Sequence, residues 1–315
     1  MLTFVLLAGF AAWAPELKAA QRIQDGVYVI ASAADDDFVL DAAGGHTTVG
    51  TNVQLYHRTD RKWPLSSENQ CWKISYDAKT KSYKIVGLLS GKALGTAKAK
   101  DSNVQLASVP IQWTITTDEK GLSTLTSNDG GKALDLKGGK AENGTNIQLY
   151  KPNTSIAQKW HLYRVPSQLS SNQVKTDITT EGIATLSWDA VPYAKEYQLW
   201  AQSSGEDTFA DNSNWFALTT VRDTHCKVSG LGSGFTYRLR VFALGEGRVG
   251  ATGAAPKEFM LAPKRSDKVI SKGSKLQIDG NSFELRTVDL DSGEVHRAHL
   301  YADGSLGAAD STALE

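Results

Sequence analysis

Two short segments combine an amide and an aromatic ring at a spacing suited to contacting a sugar. The chain reads NVQLY from Asn52 to Tyr56 and NIQLY from Asn146 to Tyr150, so a Gln stands two residues before a Tyr in both. A tyrosine ring can cover the C–H face of a sugar, and about 50–100 Å² of such contact contributes about 1–3 kcal/mol. A glutamine amide can both donate hydrogen bonds to the hydroxyls and accept them. The two segments therefore indicate a sugar-binding surface.

A carboxylate precedes each of these segments. Asp41 lies in LDAAGG and Asp135 in LDLKGG. An ionised Asp can accept charge-assisted hydrogen bonds from two adjacent sugar hydroxyls. An Asp before two glycines is also a common turn former, so neither Asp alone indicates a binding site.

The segments belong to a unit that occurs three times. The units span residues 38–74, 92–115 and 132–162, and their closing tryptophans, Trp72, Trp113 and Trp160, lie 41 and 47 residues apart. A strand-like run precedes each unit, so each repeat offers about four short strands with alternating apolar positions. No repeat could bury its apolar face alone, which predicts three repeats that share one core.

The second unit lacks the residue types that could bind a sugar. Gly95 stands in place of the Asp and Ala107 in place of the Tyr, whereas Gln105 is retained. We therefore expect no pocket in this unit, and the joint loss of Asp and Tyr is what a shared binding role predicts. Because Gln105 remains, the inner glutamines also have a structural role. Whether Gln54 and Gln148 contact a sugar directly is left open.

This threefold pattern resembles the ricin-B-type β-trefoil lectins, whose repeats carry Q-x-W signatures, and the resemblance covers residues 23–166. It implies that the three closing tryptophans are core residues. It also implies that a binding repeat uses an early Asp, the Gln and aromatic residue of Q-x-[WY], and an Asn-Gln pair before the closing Trp. The implied carbohydrate-binding residues are Asp41, Gln54, Tyr56, Asn69 and Gln70 in the first repeat, and Asp135, Gln148, Tyr150 and Gln158 in the third.

The third repeat departs from the family pattern at one position. Ala157 stands where the family often has Asn. The resemblance therefore implies a third-repeat site that lacks one hydroxyl contact, unless a neighbouring group or a water molecule supplies it.

The sequence changes character after a Ser/Gln/Asn-rich stretch at residues 164–173. Over residues 174–261 it resembles a fibronectin type III sandwich, which implies a core role for Trp188 and a tyrosine corner at Tyr237. Trp200 and Trp215 are interpreted as core packing, with an exposed aromatic surface as the alternative. Residues 274–306 alternate enough for three or four further strands.

The sequence thus predicts an all-β chain, with a β-trefoil, a fibronectin type III β-sandwich and a short β-rich C-terminal extension. The predicted boundaries are 1–20 for a signal peptide-like segment, 21–168 for the ricin-B-type trefoil, 169–173 for a linker, 174–262 for the sandwich and 263–315 for the extension or the start of a further domain. The opening apolar run ends at Ala12-Trp13-Ala14, which has the small-x-small form of a cleavage site but no basic residue before the run. We expect a protein that is secreted or at the cell surface.

Charge and cysteine content argue against several other functions. Lys plus Arg and Asp plus Glu number 34 each, so there is no broad electrostatic footprint for nucleic acid. Cys71 and Cys226 fall in different predicted domains, which argues against a disulfide framework. The close histidines His296 and His299 lack a third metal ligand nearby. We predict no metal, no cofactor and no nucleic-acid partner. We also predict no membrane insertion, since the N-terminal apolar run is too short to span a bilayer.

No catalytic motif is recognisable in the sequence. Paired carboxylates in a glycosidase frame, an activated nucleophile, a phosphate-binding loop and a zincin helix are all missing from it. The first hypothesis is therefore non-catalytic, lectin-like binding of polysaccharide or glycoprotein glycans through the first and third repeats, with the sandwich as a spacer. The alternatives are a protein-interaction or adhesion scaffold without sugar binding, and the targeting portion of a larger glycan-degrading or cell-wall enzyme. The spacing does not indicate which sugar binds or the oligomeric state.

Overall fold

The computed structural model describes residues 22–98, 101–169, 173–178, 184–204, 215–228, 236–256, 258–261, 283–288, 295–300 and 310–312. The predicted signal peptide-like segment, residues 1–20, lies outside this part of the chain. The side chains of His296 and His299 lie outside it as well.

The described residues form 24 β-strands: β1 Gly26–Ser32, β2 Phe38–Ala42, β3 Val53–His57, β4 Leu65–Ser66, β5 Cys71–Asp77, β6 Ser82–Gly87, β7 Ala93–Gly95, β8 Gln105–Ala107, β9 Trp113–Thr117, β10 Ser123–Ser127, β11 Ala133–Leu136, β12 Ile147–Tyr150, β13 Trp160–Arg164, β14 Lys175–Ile178, β15 Ala184–Ser187, β16 Glu196–Ser204, β17 Phe216–Val221, β18 His225–Val228, β19 Thr236–Leu244, β20 Ala251–Thr252, β21 Phe259–Leu261, β22 Phe283–Val288, β23 Val295–Leu300 and β24 Asp310–Thr312. Short 3₁₀ turns occur at Ala43–Gly45, Thr59–Arg61, Glu68–Gln70, Lys137–Gly139, Ile156–Gln158 and Glu246–Arg248.

Each of the three repeats contributes four strands to a β-trefoil. The first and fourth strands of the repeats pair antiparallel in the order β1-β5-β6-β9-β10-β13, and β13 returns to pair with β1, which closes a six-stranded barrel. The second and third strands form the hairpins β2–β3, β7–β8 and β11–β12. The all-β fold and the trefoil predicted from the repeats are confirmed.

Three asparagines join the three hairpins in a cyclic set of hydrogen bonds. Asn52 donates to Asn146 at 2.9 Å, Asn146 donates to Asn103 at 2.8 Å, and Asn103 donates back to Asn52 at 3.0 Å. Backbone bridges connect the same three hairpins, and each bridge links an asparagine to the inner glutamine of another repeat. Gln105 takes part through its backbone, so a structural role for its side chain stays a prediction.

The closing tryptophans form the centre of the trefoil core. Trp72, Trp113 and Trp160 are fully buried and pack in one apolar cluster. Each indole N–H donates to a backbone carbonyl of its own repeat: to Leu40 at 3.1 Å, to Leu94 at 3.3 Å and to Leu134 at 3.1 Å. The hydrogen bond satisfies the one polar atom that each buried indole carries.

The second domain consists of two antiparallel sheets with a common core. One sheet has the order β14-β15-β18 and the other β17-β16-β19-β21. Trp188 is buried in this core, as predicted, and its ring lies 5.2 Å from that of Tyr197. The Tyr197 hydroxyl accepts a hydrogen bond from the Val191 N–H at 2.8 Å. The tyrosine corner expected at Tyr237 stays a prediction.

The trefoil and the second domain are in direct contact. Strand β20 of the second domain pairs in parallel with β4 of the first repeat. The rings of Trp200 and Trp215 lie 4.8 Å and 6.0 Å from the ring of Trp63 in the trefoil. The interpretation that these two tryptophans pack in the core of their own domain is therefore wrong. Both rings pack against Trp63, in a loop of the trefoil.

Three antiparallel strands, β22, β23 and β24, occupy the predicted β-rich extension. Within the described part of the chain, no helix is long and apolar enough to cross a membrane.

Substitution of Trp113 tests the structural role of the closing tryptophans, because its repeat carries no predicted site. Trp113→Phe leaves the buried Leu94 carbonyl without its donor and opens a cavity, so we expect a loss of about 2–4 kcal/mol in the free energy of unfolding. Urea denaturation measures this loss. The control Val109→Ala alters a side chain that is 74% exposed and should change stability by less than about 0.5 kcal/mol. Equal stability of the two variants would contradict a central role for the indole.

Candidate carbohydrate-binding sites

The hairpins place the predicted Asp of each binding repeat opposite its inner Gln. Asp41 on β2 pairs with Gln54 on β3, and Asp135 on β11 pairs with Gln148 on β12. Residues directly opposite on an antiparallel pair share one face of the sheet, and the Tyr two residues after each Gln has the same orientation. The strand register therefore brings Asp, Gln and Tyr of one repeat to a common face.

In the first repeat, the Asp41 carboxylate accepts three amide hydrogen bonds. Gln54 donates to Oδ1 at 3.2 Å, and Asn69 and Gln70 donate to Oδ2 at 2.7 Å and 3.1 Å. Asp41 is 3% exposed, whereas Tyr56 is 43% exposed. The five predicted residues of this repeat thus form one cluster around a buried carboxylate with an accessible aromatic ring beside it.

Gln70 is fixed by the backbone of the preceding loop. Its Oε1 accepts from the Thr59 N–H at 3.1 Å, and its Nε2 donates to the His57 carbonyl at 2.8 Å as well as to Asp41. Because Gln70 is buried and its amide is occupied on both sides, it orients the carboxylate of Asp41 and is not itself a free contact for a sugar.

The third repeat reproduces this arrangement with one donor fewer. Gln148 donates to Oδ1 of Asp135 at 2.8 Å and Gln158 donates to Oδ2 at 3.0 Å. Gln158 also donates to the Lys151 carbonyl at 2.9 Å and accepts from the Asn153 N–H at 2.8 Å. Tyr150 is 53% exposed. The four predicted residues of this repeat are again brought together.

The replacement of Asn by Ala157 changes what the third carboxylate can offer. A carboxylate has about four acceptor positions; Asp41 uses three of them, and Asp135 uses two. The third site therefore lacks an amide at the pocket rim and retains one more free acceptor position on its Asp. Ser155 occupies the position that Ser67 has before Asn69, and it accepts from the Ala157 N–H at 3.2 Å.

The second repeat fills the corresponding volume with apolar atoms. Gly95 pairs with Gln105 where the other repeats have Asp opposite Gln. A Cβ built on Gly95 would lie 3.1 Å from the Cβ of Ala107 and 3.4 Å from Cγ1 of Ile111. Ile111 stands two residues before the closing Trp113, which is the position that Gln70 has before Trp72. The Asp, the Tyr and the outer Gln have thus been replaced together by residues that pack on one another, in agreement with the expectation of no pocket here.

Burial is the main electrostatic influence on the first site. It raises the pKa of the Asp41 carboxyl above its ordinary value, and the hydrogen bonds from Gln70, Gln54 and Asn69 oppose that rise without cancelling it. No cluster of three His, Cys, Asp or Glu side chains suited to a metal ion occurs among the residues that the structure describes.

Sequence reasoning missed the residues that hold the outer glutamines. Thr59 and Asn153 donate through their backbone N–H groups, a role that any residue except proline can perform. The Thr59 hydroxyl also donates to Gln70 Oε1, at 3.3 Å. The two backbone contacts carry no residue-type signal.

A protein-family model, the ricin-type beta-trefoil lectin domain-like family, matches residues 68–150 and 111–182. The trefoil is a ricin-B-type lectin-like domain, as the repeats indicate. No curated protein matches the sequence.

Several solved structures are similar to the trefoil part of the chain. The designed threefold-symmetric protein ThreeFoil is 29% identical, with a TM-score of 0.39, and the match covers 44% of this chain and 98% of that protein. The Rhizoctonia solani agglutinin is 24% identical, with a TM-score of 0.40 and coverage of 46% and 98%. The Macrolepiota procera ricin B-like lectin, in complex with lactose, is 22% identical, with a TM-score of 0.38 and coverage of 45% and 97%.

The raised pKa of Asp41 has a measurable consequence. Because this pKa is higher in the native state than in the unfolded chain, the ionised carboxylate costs the fold stability at neutral pH, and this cost disappears as the pH falls through the native pKa towards the unfolded value. We expect Asp41 to titrate at a higher pH than the more accessible Asp77, whose pKa is lowered chiefly by the Lys79 backbone N–H. Carbon-detected NMR of the carboxyl groups measures both. An Asp41 pKa at or below that of Asp77 would contradict the dominance of burial.

Proposed function

We propose that this protein binds glycans without catalysis, through two sites on the trefoil, one in the first repeat and one in the third. The observation that carries the proposal is the shared cluster of a buried, amide-bonded Asp beside an exposed Tyr in these two repeats. The apolar filling at Gly95 in the second repeat supports the same interpretation, because the binding groups are present together or replaced together.

The chemistry of the cluster suits a neutral hexose with two adjacent hydroxyls. The Asp carboxylate accepts from the hydroxyls, the Tyr ring covers the C–H face, and the Gln amides hold the carboxylate in its orientation. Because Tyr56 and Tyr150 are exposed to solvent, we expect a dissociation constant on the order of 1 mM for one site, about −4 kcal/mol. Two sites on one rigid barrel gain affinity on a surface that presents many copies of the sugar.

The second domain, with its three-stranded and four-stranded sheets, we propose to be of the fibronectin type III kind. Its spacer role remains a prediction from the sequence, as does export of the protein.

Glycan-array binding tests the proposed function. We expect a sugar-selective signal from the full chain that disappears in the double variant Asp41→Asn/Asp135→Asn, because neither carboxylate then remains as a charged acceptor. Thermal melting checks that the variant is folded. The control Asp129→Asn removes an exposed carboxylate of the trefoil and should leave the signal unchanged. Silence of the unmodified protein across a broad array would favour the protein-interaction scaffold.

The Asn69/Ala157 difference predicts that the two sites prefer different glycans. Ala157→Asn gives the third site the rim amide of the first and uses a free acceptor position on Asp135, and Ser155 is placed to hold the new side chain as Ser67 holds Asn69. In an Asp41→Asn background, we expect this change to shift the third-site array profile towards the profile of the Asp135→Asn variant, which retains only the first site. Relative signals across the array change by about 2-fold to 10-fold, the effect of one hydrogen bond.

The Asp41→Asn variant that retains Ala157 is the reference for this comparison. An identical profile with and without Ala157→Asn would show that the rim amide does not influence sugar choice.

A further inference from the structure

The loop before the outer Gln is longer in the first repeat than in the third. Gln70 accepts from the N–H of Thr59, 11 residues earlier, whereas Gln158 accepts from the N–H of Asn153, 5 residues earlier. The other bond of each amide matches as well, to the carbonyls of His57 and Lys151. The two repeats therefore hold the Gln in the same way, and the first repeat carries six extra residues between the donor and the Gln.

The extra residues make the polar contact with the second domain. Leu65 and Ser66 pair in parallel with Ala251 and Thr252, and the Ser66 hydroxyl donates to the Gly250 carbonyl at 2.8 Å. The Gly250 N–H donates to Oδ2 of Asp60 at 3.1 Å. The segment from Asp60 to Ser66, here called the docked loop, is thus hydrogen-bonded at both of its ends to one short segment of the second domain.

Asp60 is the polar centre of this contact. Its carboxylate also accepts two hydrogen bonds from the Arg58 guanidinium, at 2.9 Å each, and both side chains are almost fully buried. A buried ion pair of this kind is tolerated only when the remaining acceptor positions are satisfied. The Gly250 N–H donates to Oδ2, and the Ser66 hydroxyl, which shares its single proton with the Gly250 carbonyl, lies 3.2 Å from the same oxygen. Asp60 follows Thr59 directly, so the docking contact and the donor to Gln70 are adjacent in the chain.

Apolar groups complete the contact on either side of Asp60. The Trp63 ring lies 4.8 Å from that of Trp200 and 4.9 Å from that of Phe242. Val249 is fully buried in a cluster with trefoil residues that include Val29 and Cys71, and Cys71 follows Gln70 directly. Both ends of the Thr59–Gln70 loop are therefore held by the second domain.

The third-repeat loop is closed by its own residues. Asn153 accepts from the Ser155 N–H at 2.8 Å, and the Ser155 hydroxyl accepts from the Ala157 N–H at 3.2 Å. The six residues from Asn153 to Gln158 thus form a short turn that is ordered locally.

From these contacts we propose that the second domain is a working part of the first-repeat site: its docking through Gly250 holds Thr59 and Gln70, and so orients Asp41. Separation of the domains then weakens the first site and leaves the third site intact. The sugar-binding consequence rests on the proposed function, whereas the ordering of the loop does not. If the undocked loop presents Gln70 correctly for only about a tenth of the time, the apparent affinity of the first site falls about tenfold.

The test uses the full chain with Gly250→Val, because a Cβ at Gly250 would overlap the Pro64 carbonyl oxygen of the docked loop. A second variant, Trp63→Ala, removes the aromatic contact by another route. Ala254→Val is the matched control, since it introduces the same valine side chain at an exposed residue near the contact.

Amide hydrogen exchange without any sugar is the first measurement. We expect the Thr59 amide to exchange at least about tenfold faster in Gly250→Val and in Trp63→Ala, with the Asn153 amide unchanged. The control should match the unmodified protein at both amides. Unchanged protection of Thr59 in both variants overturns the proposal, and so does an equal loss at Asn153, which would indicate general destabilisation.

Retention on immobilised gastric mucin is the second measurement. In an Asp135→Asn background, where only the first site remains, we expect Gly250→Val to lower retention about fivefold or more. In an Asp41→Asn background the same change should alter retention less than about twofold. Equal effects in the two backgrounds overturn the site-specific proposal. Failure of the Asp135→Asn protein itself to bind mucin would count against the proposed function alone, because the exchange result stands without it.

Discussion

The structure depends on one interaction that occurs three times: a buried indole N–H donates to the carbonyl of the residue just before the Asp or Gly position of the same repeat. Trp72 bonds to Leu40, Trp113 to Leu94 and Trp160 to Leu134. The hydrogen bond joins the apolar core to the strand that carries the candidate site. Because the indole has only one polar atom and no water reaches it, the distance between core and site strand is fixed in every repeat.

On this common frame, the repeats differ in the side chains that the strands carry and in the loops that connect the strands. In the first and third repeats the strand carries an Asp, at residues 41 and 135, and amides from the hairpin and from the outer Gln orient its carboxylate. In the second repeat the strand carries Gly95, and Ile111 fills the space that the Asp side chain takes in the other repeats. The loops that connect the frame are the variable part, and in the first repeat the loop has become the contact with a second domain. A lectin-like site and an interdomain contact therefore share one segment of chain.

The repeats could be predicted because their residue types recur at matched spacings. Asp, Gln and Tyr recur in the first and third units, and the closing tryptophans recur in all three. This periodicity predicted three repeats with one core, and the resemblance to ricin-B-type lectins implied the trefoil and the site residues. The domain contact could not be predicted. The loop with Trp63 has no counterpart in the other repeats. Asp60 accepts a hydrogen bond from the N–H of Gly250, which lies 190 residues further along the chain. Likewise, the shorter of the two hydrogen bonds from Thr59 to Gln70 comes from its backbone N–H, which has no residue-type signal. The packing of Trp200 against Trp63 is not encoded in the alternation of its own strand.

The most direct measurement of the central claim is an NMR titration of the protein with ring-labelled tyrosine, using the glycan that gives the strongest array signal. Two-site binding through Asp41 and Asp135 predicts that the ring signals of Tyr56 and Tyr150 both shift with saturation. It also predicts that Asp41→Asn abolishes the Tyr56 shift and leaves that of Tyr150, while Asp135→Asn does the reverse. Saturating binding with neither ring affected, or shifts that persist in both Asp variants, would contradict the claim that these two clusters are the sites.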